Sequence, residues 1–281
     1  MRTLLVRLSL AAFVLAFAWT AYTQNQNKQP AQLTIQKVKD DLYMIEGSGG
    51  NVAVYITNEG AILVDDKYEQ DFDNIMARVK SVTTQPVKYV MSTHHHGDHT
   101  GSNAKFLPIA EIIAHQNNRV NIIQGKQPGA PRVTFTDQAE VFLGGKEVRA
   151  QYFGRGNTNG DAMVYFPALR TIHTGDLMAG DSPLIDYRGG GSLKEWTKTL
   201  DDAMKLDFDT VITGHGPVTT KAAMKTYRDN IEKLQSRVTG LIRDKKAKEE
   251  IAKIMTAEFG WLPDGLQMTR GFDGMLAELS R

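Results

Sequence analysis

Residues 92–101 read STHHHGDHTG, and within them four of the seven histidines of the chain occupy positions 94–99. The stretch follows the apolar segment VKYVMST (87–93), which predicts a buried strand. The histidines therefore stand where a strand ends and a loop begins, the usual place for ligand-binding residues in an α/β layer structure. Such crowding of imidazoles predicts a metal site, with solvated or structural histidines as the alternative.

The spacing within the stretch divides the side chains into two groups. Alternate residues of an extended segment point to the same side, so His94 and His96 are predicted to share one metal while His95 points away. The turn at Gly97 then directs Asp98 and His99 toward a second metal. The chain has no cysteine, so the ligands must be imidazole and carboxylate. That donor set favours zinc, with iron or manganese as alternatives.

Two later residues are candidates for the ligands that this loop lacks. Asp176 in IHTGDLM and His215 in ITGHGP each follow a predicted strand. Taken alone, either would be interpreted as a turn residue or a buried hydrogen-bonded side chain, and only the needs of the first loop make them candidate ligands. His115 and His173 lie inside strand segments and are predicted to be structural.

The rest of the chain is typical of an ordinary globular protein. Of 281 residues, 41% are hydrophobic and 23% charged, with a formal net charge of +1, so the charge balance does not indicate a nucleic-acid-binding protein. Short strands from Leu33 onward alternate with helical stripes, and a charged helical tail begins near Thr219. We predict an α/β fold in which two sheets face each other with helices outside, forming a single domain over residues 24–281.

The first 23 residues have the organisation of a secretory signal peptide. Arg2 and Arg7 precede an apolar run from Leu8 to Trp19, and small and polar residues follow. The run is short for a membrane-spanning helix, so we predict a cleaved signal (1–23) and an exported, periplasmic protein without stable membrane association. An uncleaved membrane anchor is the alternative.

The motifs THHHGDH, TGD and GHG, each after a buried strand, resemble those of the metallo-β-lactamase superfamily of zinc hydrolases. The resemblance covers nearly all of the chain after the signal. It implies a four-layer αββα sandwich of two facing mixed β-sheets. It also implies the ligands: His94 and His96 for the first metal, Asp98, His99 and His215 for the second, and Asp176 bridging both. Asp65, in ILVDD, matches a family aspartate that supports these loops.

One position departs from the family pattern. The family usually places a third histidine for the first metal in a Gly-x-His-Thr turn, and here the segment reads GRGNTNGD with Asn157 at that position. An asparagine oxygen is a poor zinc ligand beside imidazole. We therefore expect one or two Zn²⁺ per chain, with the second site stronger than the first.

The resemblance implies that a metal-bound hydroxide opens a carbonyl-centred bond in a small-molecule β-lactam, lactone or thioester. Asp98 would orient the hydroxide and carry its proton as the catalytic residue. The alternatives are a thioesterase similar to glyoxalase II and, because of Asn157, a non-catalytic metal- or ligand-binding protein. Tyr187 and Arg188 are predicted substrate contacts, with a solvated loop as the alternative, and Gly47 to Gly50 would form one wall of the mouth.

Overall fold

Short apolar segments separated by turn residues form thirteen strands in the described part of the chain, residues 32–281 of a computed structural model. Seven of them form one sheet in sequence order. Its first four strands are antiparallel and its last four are parallel, so β4 belongs to both sets. These strands are β1 (Thr34–Lys39), β2 (Leu42–Glu46), β3 (Val52–Ile56), β4 (Ala61–Val64), β5 (Val87–Ser92), β6 (Glu111–His115) and β7 (Val133–Phe135).

The remaining six strands form a second mixed sheet. Their order is β13-β12-β11-β10-β9-β8, and only β11 and β12 pair in parallel. These strands are β8 (Gln138–Leu143), β9 (Lys146–Tyr152), β10 (Ala162–Phe166), β11 (Thr171–His173), β12 (Thr210–Ile212) and β13 (Thr219–Thr220). The sequence QAEVFLGGKEVRAQY predicts a hairpin that turns at Gly144-Gly145, and the structure has it: both glycines have positive φ between the antiparallel strands β8 and β9.

Helices connect and cover the sheets. They are α1 (Phe72–Val82), the short α2 (Gly97–Thr100) and α3 (Asn103–Phe106), α4 (Gln116–Gln124), α5 (Leu193–Ala203), α6 (Lys221–Arg243), α7 (Lys248–Phe259) and α8 (Phe272–Leu279). Single 3-10 turns occur at Glu69–Asp71, Pro167–Leu169 and Gly175–Leu177, and a π-helical turn at Gln267–Gly271 precedes α8.

Alternate side chains of the strands face different cores, so the sheets and helices form four layers. In β3, Ala53 and Tyr55 face a core shared with the second sheet, while Val52 and Val54 face α1 on the outside. In the second sheet, alternate residues of β10 reach either that shared core or the core under α5 to α8. The predicted αββα sandwich of two mixed sheets is confirmed.

The apolar stripe of α6 and the N-terminal cap of α5 agree with their sequence patterns. In the helical tail, apolar residues recur at helical spacing, which predicts one buried face, and all of them are buried in α6: Met224, Tyr227, Ile231, Leu234, Val238 and Leu241. Ser192 and Glu195 have the spacing of a capping box, and Ser192 caps α5 by accepting a hydrogen bond from the Glu195 amide (3.1 Å). The Glu195 carboxylate, however, pairs with Arg155 instead of returning to the cap. α4 and β7 were not predicted, because their exposed apolar residues follow neither the 3.6-residue repeat of a helix nor the two-residue repeat of a strand.

Residues Leu33–Arg281 form one compact unit. The predicted signal peptide (1–23) lies outside the described residues. None of the helices between residues 32 and 281 has both the length and the apolar character needed to cross a membrane.

Candidate metal centre

The candidate ligands occupy loops at one edge of the two sheets. Asp65 follows β4 and the cluster at 94–99 follows β5, and these two strands are parallel neighbours. Asp176 follows β11 and His215 follows β12, again a parallel pair. Because the carboxyl ends of parallel strands meet at one edge, residues more than a hundred positions apart converge.

His94, His96 and Asp176 form the first group. His94 Nε2 lies 3.1 Å from His96 Nδ1 and 3.7 Å from Asp176 Oδ2. These donor atoms lie within 4.8 Å of one another, so one ion could contact all three.

Asp98, His99 and His215 form the second group. His215 Nε2 lies 3.2 Å from Asp98 Oδ2 and 3.3 Å from His99 Nε2. His99 is fully buried, whereas 38% of the His215 side chain and 21% of the Asp98 side chain are exposed. The second group is therefore open to solvent on the side of His215 and Asp98.

Asp176 stands between the two groups. Its Oδ2 faces His94, and its Oδ1 lies 3.2 Å from His99 Nε2 and 3.5 Å from His215 Nε2. That buried Oδ1 makes no well-directed hydrogen bond among the described residues. A buried carboxylate oxygen that lacks a well-directed donor is costly unless a cation satisfies it. The six predicted ligands thus come together, and their donor set fits zinc.

Asp65 orients histidines of both groups. Its Oδ2 accepts a hydrogen bond from His99 Nδ1 (2.8 Å) and from the Thr93 hydroxyl (2.8 Å). Since the Thr93 hydroxyl donates to Asp65, its oxygen accepts from His94 Nδ1 (3.1 Å). Both rings consequently turn Nε2 toward the metal positions, which is the supporting role expected for Asp65.

Asp186, which was not predicted from the sequence, contacts the ring of His96. Its Oδ2 lies 3.0 Å from His96 Nε2, the nitrogen opposite the one that faces His94. The same oxygen is 3.7 Å from His95 Nε2, and the Asn121 amide donates to His95 Nδ1 (3.3 Å). His95 therefore points away from the first group, as predicted.

The protonation of the site is set by the balance of burial and charge. Burial and the neighbouring imidazoles hold the pKa of His94 well below its usual value, so its Nε2 lone pair is available. Burial acts against a charged His99, but Asp176 and Asp65 raise the pKa of that ring well above its usual value. Burial would raise the pKa of Asp98, yet the hydrogen bond with His215 and the charge of His99 lower it. A bound cation would take the place of the His99 proton.

The side-chain amide of Asn157 forms a hydrogen bond to the loop that carries Asp186. The residue is fully buried, and its Nδ2 donates to the Leu184 carbonyl (2.7 Å). Its Oδ1 has no hydrogen-bond partner among the described residues. The nitrogen of the Asn157 side chain is thus hydrogen-bonded to the segment that precedes Asp186.

The glycine-rich tip between β2 and β3 is tied to the site. The Gly50 amide donates to the Asp98 carbonyl (3.0 Å), and a Cβ on Gly50 would lie 2.2 Å from the His99 ring. Lys67, fully buried and also missed by the sequence reading, donates through Nζ to the carbonyls of Ser48 (2.9 Å) and Gly50 (2.6 Å). Burial lowers the Lys67 pKa to about 8.

The two predicted substrate contacts differ in their surroundings. The Tyr187 hydroxyl donates to Glu278 Oε2 (2.8 Å), and its ring packs against Gly274 of α8. These contacts give Tyr187 a role in attaching α8 to its loop, and we keep only Arg188 as a substrate contact. Arg188 is exposed and lines a cavity of about 450 Å³ together with His96, Asp186 and Arg270.

A second cavity lies on the other side of the site. It has a volume of about 540 Å³ and includes His215, Met178 and Tyr227 among its lining residues. The metal groups thus lie between a charged cavity at His96 and a more apolar one at His215.

The two histidines assigned to structure do not take part in the site. His115 stacks on Tyr152, with ring centroids 4.1 Å apart, and accepts from the Asn117 amide at the start of α4. His173 contacts the Asn51 carbonyl through Nε2 (3.2 Å) and accepts from the Gly175 amide through Nδ1 (3.1 Å).

Comparisons with known proteins agree with this geometry. The model of the metallo-beta-lactamase superfamily matches residues 45–215, a range that includes all six converging side chains. Metallo-beta-lactamase type 2 of Elizabethkingia meningoseptica is 23% identical over 238 residues, which cover 80% of this chain and 95% of that protein. Hydroxyacylglutathione hydrolase of Crocosphaera subtropica is 28% identical over 199 residues, which cover 66% of this chain and 75% of that protein.

The fold is shared with solved structures. The metallo-beta-lactamase from Pontibacter korlensis aligns with a TM-score of 0.65 at 19% identity, covering 72% of this chain and 99% of that one. At this identity the likeness shows the fold alone.

Proposed function

The chain belongs to the metallo-β-lactamase superfamily of metal-dependent hydrolases, and we propose that it is an exported zinc hydrolase that opens a carbonyl-centred bond in a small molecule. The observation that supports this most directly is the position of Asp176, whose two carboxylate oxygens face the two groups of histidines. No other described carboxylate contacts both groups.

Each group has the donors for one zinc ion. His94 and His96 would hold the first and Asp98, His99 and His215 the second, with Asp176 shared. Zinc in such a site supplies an acidified water and polarises the carbonyl of the substrate. We propose one or two ions per chain, with the second site tighter because the Asn157 amide is committed to Leu184.

Asp98 is the residue that we propose handles the proton. Its carboxylate is ionised and partly exposed, and Oδ2 lies 3.2 Å from His215 Nε2. A carboxylate in this position can orient an attacking water at Oδ2 and pass its proton to the leaving atom.

We further propose that the substrate carries an anionic group. Arg188 and Arg270 both line the cavity at His96, and neither forms an ion pair within residues 32–281. Two unpaired guanidinium groups beside a reaction centre favour a carboxylate or phosphate on the substrate. β-Lactams and glutathione thioesters carry carboxylates, whereas simple lactones do not.

Replacing Arg188 or Arg270 with alanine is expected to raise KM for a carboxylate-bearing substrate roughly 10-fold, because a charge-assisted hydrogen bond is lost. The value of kcat should change less, since the metal ligands are untouched. Steady-state kinetics on paired charged and neutral substrates measure the effect. Arg243→Ala, at the exposed end of α6, is the control. An equal rise in KM for neutral substrates would show that Arg188 and Arg270 do not bind an anionic group of the substrate.

Zinc content and hydrolysis, measured together, test the function itself. The protein is expected to bind zinc and to hydrolyse at least one member of a panel of β-lactams, lactones and glutathione thioesters, with loss of activity on chelation. Thioester hydrolysis alone would favour the alternative of a thioesterase similar to glyoxalase II. Tight zinc binding with no hydrolysis would leave the non-catalytic metal-binding protein as the better interpretation.

Export is proposed from the basic, apolar and small-residue order of residues 1–23. The exported chain should begin near Gln24 by intact mass. A mass that retains Met1 would favour the uncleaved anchor.

A further inference from the structure

We propose that Asp186 is a positioning residue that fixes His96 for metal binding, and that Asn157 holds Asp186 in place. This inference rests on the proposed zinc site but not on any particular substrate. It also assigns a role to the position at which the chain departs from its family.

The two ring nitrogens of His96 have different roles. Nδ1 lies 3.1 Å from His94 Nε2, on the metal side, and Nε2 lies 3.0 Å from Asp186 Oδ2, on the opposite side. A carboxylate accepts hydrogen bonds only, so Asp186 requires the proton on Nε2 and leaves the Nδ1 lone pair free. A carboxylate behind a ligating imidazole also makes that imidazole more basic.

The three histidines of the 94–99 cluster that face the metal positions, His94, His96 and His99, then share one arrangement. His99 is supported directly by Asp65, and His94 is supported by Asp65 through Thr93. Asp65 does not support His96, and Asp186, which comes from a separate loop, has this role instead. Without Asp186, His96 would be the only one of these rings without a carboxylate behind it among the described residues.

The loop that carries Asp186 is attached to Asn157 at two points. The Asp186 amide donates to the Asn157 main-chain carbonyl (2.8 Å), and Asn157 Nδ2 donates to the Leu184 carbonyl (2.7 Å). These bonds hold the residues on both sides of Ile185, so the path of the chain into Asp186 is set by Asn157.

The glycines after Arg188 allow the loop to close around this arrangement. A Cβ on Gly189 would lie 2.5 Å from Asp186 Oδ2 and 2.6 Å from His95 Cε1. A Cβ on Gly191 would lie 2.2 Å from the Asn157 carbonyl oxygen. The run Gly189–Gly191 is therefore the local sequence signal for a close approach of two loops.

A histidine at position 157 would disturb this arrangement. An imidazole that bound the first metal could not keep the amide contact to the Leu184 carbonyl, and that partly buried carbonyl would lose its donor. In this chain the first metal position thus lacks a third imidazole, and the Asp186 carboxylate instead makes His96 a better ligand.

Zinc titration of Asp186→Asn tests the proposal, with a chromogenic chelator as competitor. The affinity of the weaker zinc site is expected to fall about 10- to 100-fold while that of the tighter site stays unchanged. Asp186→Glu should restore part of the loss because it restores a negatively charged carboxylate, whereas asparagine keeps only a neutral acceptor. Asp181→Asn, an exposed carboxylate of the same segment, is the matched control.

Cobalt substitution adds a readout that a general loosening of the fold would not reproduce. The visible absorption of the cobalt protein reports ligand geometry, so Asp186→Asn should change the bands of the weaker site alone. Unchanged affinity and unchanged bands would overturn the role of Asp186. Loss of a third equivalent of zinc would also overturn it, because Asp186 would then be a ligand together with His95 and His96.

A double-mutant cycle tests the part assigned to Asn157. Asn157→Ala should weaken the same zinc site, and its effect should not add to that of Asp186→Asn, because both act through one contact. Additive losses would show independent roles and overturn this part. The zinc measurements stand whether or not hydrolysis is found, so failure of the hydrolase proposal and failure of this one are distinguishable.

Discussion

Replacing Asp176 with asparagine is expected to lower kcat/KM at least about 1000-fold and to reduce the zinc content of the protein. Asp176 has one oxygen toward His94 and the other 3.2 Å from His99, so both metal positions depend on its charge. Asparagine preserves the shape but offers one neutral oxygen and one N–H donor. That donor would face imidazole nitrogens that are themselves directed at the metal.

Metal analysis and steady-state kinetics on the same preparation measure this effect. Asp201→Asn, which breaks a surface ion pair with Arg228, is the control for loss of a carboxylate elsewhere. Thermal unfolding in the presence of chelator separates a lost metal from a lost fold, since both metal-free proteins should unfold at similar temperatures. Full zinc content with full activity in Asp176→Asn would mean that Asp176 does not bridge the site.

Removing zinc from the unaltered protein is expected to lower Tm by about 10 °C. Zinc at about 1000 times its Kd adds roughly 4 kcal/mol to the free energy of unfolding. Each kcal/mol corresponds to about 2–4 °C for a domain of this size. The structural reason is that the metal-free site buries Asp176 Oδ1 without a well-directed donor and keeps imidazoles and carboxylates crowded together.

Calorimetry with and without chelator checks this expectation, and zinc added back should restore Tm whereas magnesium should not. The stabilisation should shrink as the pH falls, because zinc binds imidazole only in its deprotonated form and protons then compete for the ligands. Asp176→Asn should show a smaller zinc-dependent shift than the natural protein. Equal Tm values with and without zinc would argue against a tight metal site.

Local patterns in the sequence predict the strands and place the candidate ligands at strand ends, whereas the grouping of those ligands into two sites is implied by the resemblance of the motifs THHHGDH, TGD and GHG to a known family. The apolar segments before His94, Asp176 and His215 each predict a strand that ends at a polar residue, and the carboxyl ends of neighbouring parallel strands must meet at one edge. The stripe of α6 likewise follows from residue spacing alone. These features depend on residues close in sequence, which is why they could be predicted without the tertiary structure.

Only the tertiary structure brought Asp186 to His96, which is 90 positions away. It also turned the Tyr187 hydroxyl toward Glu278 and the Asn157 amide toward Leu184, two contacts that the sequence did not predict. The path of the 184–191 loop is determined by its hydrogen bonds to Asn157 and by the space that its glycines leave. Local periodicity contains no information about such contacts, because they form only after two sheets and their connecting loops have packed together.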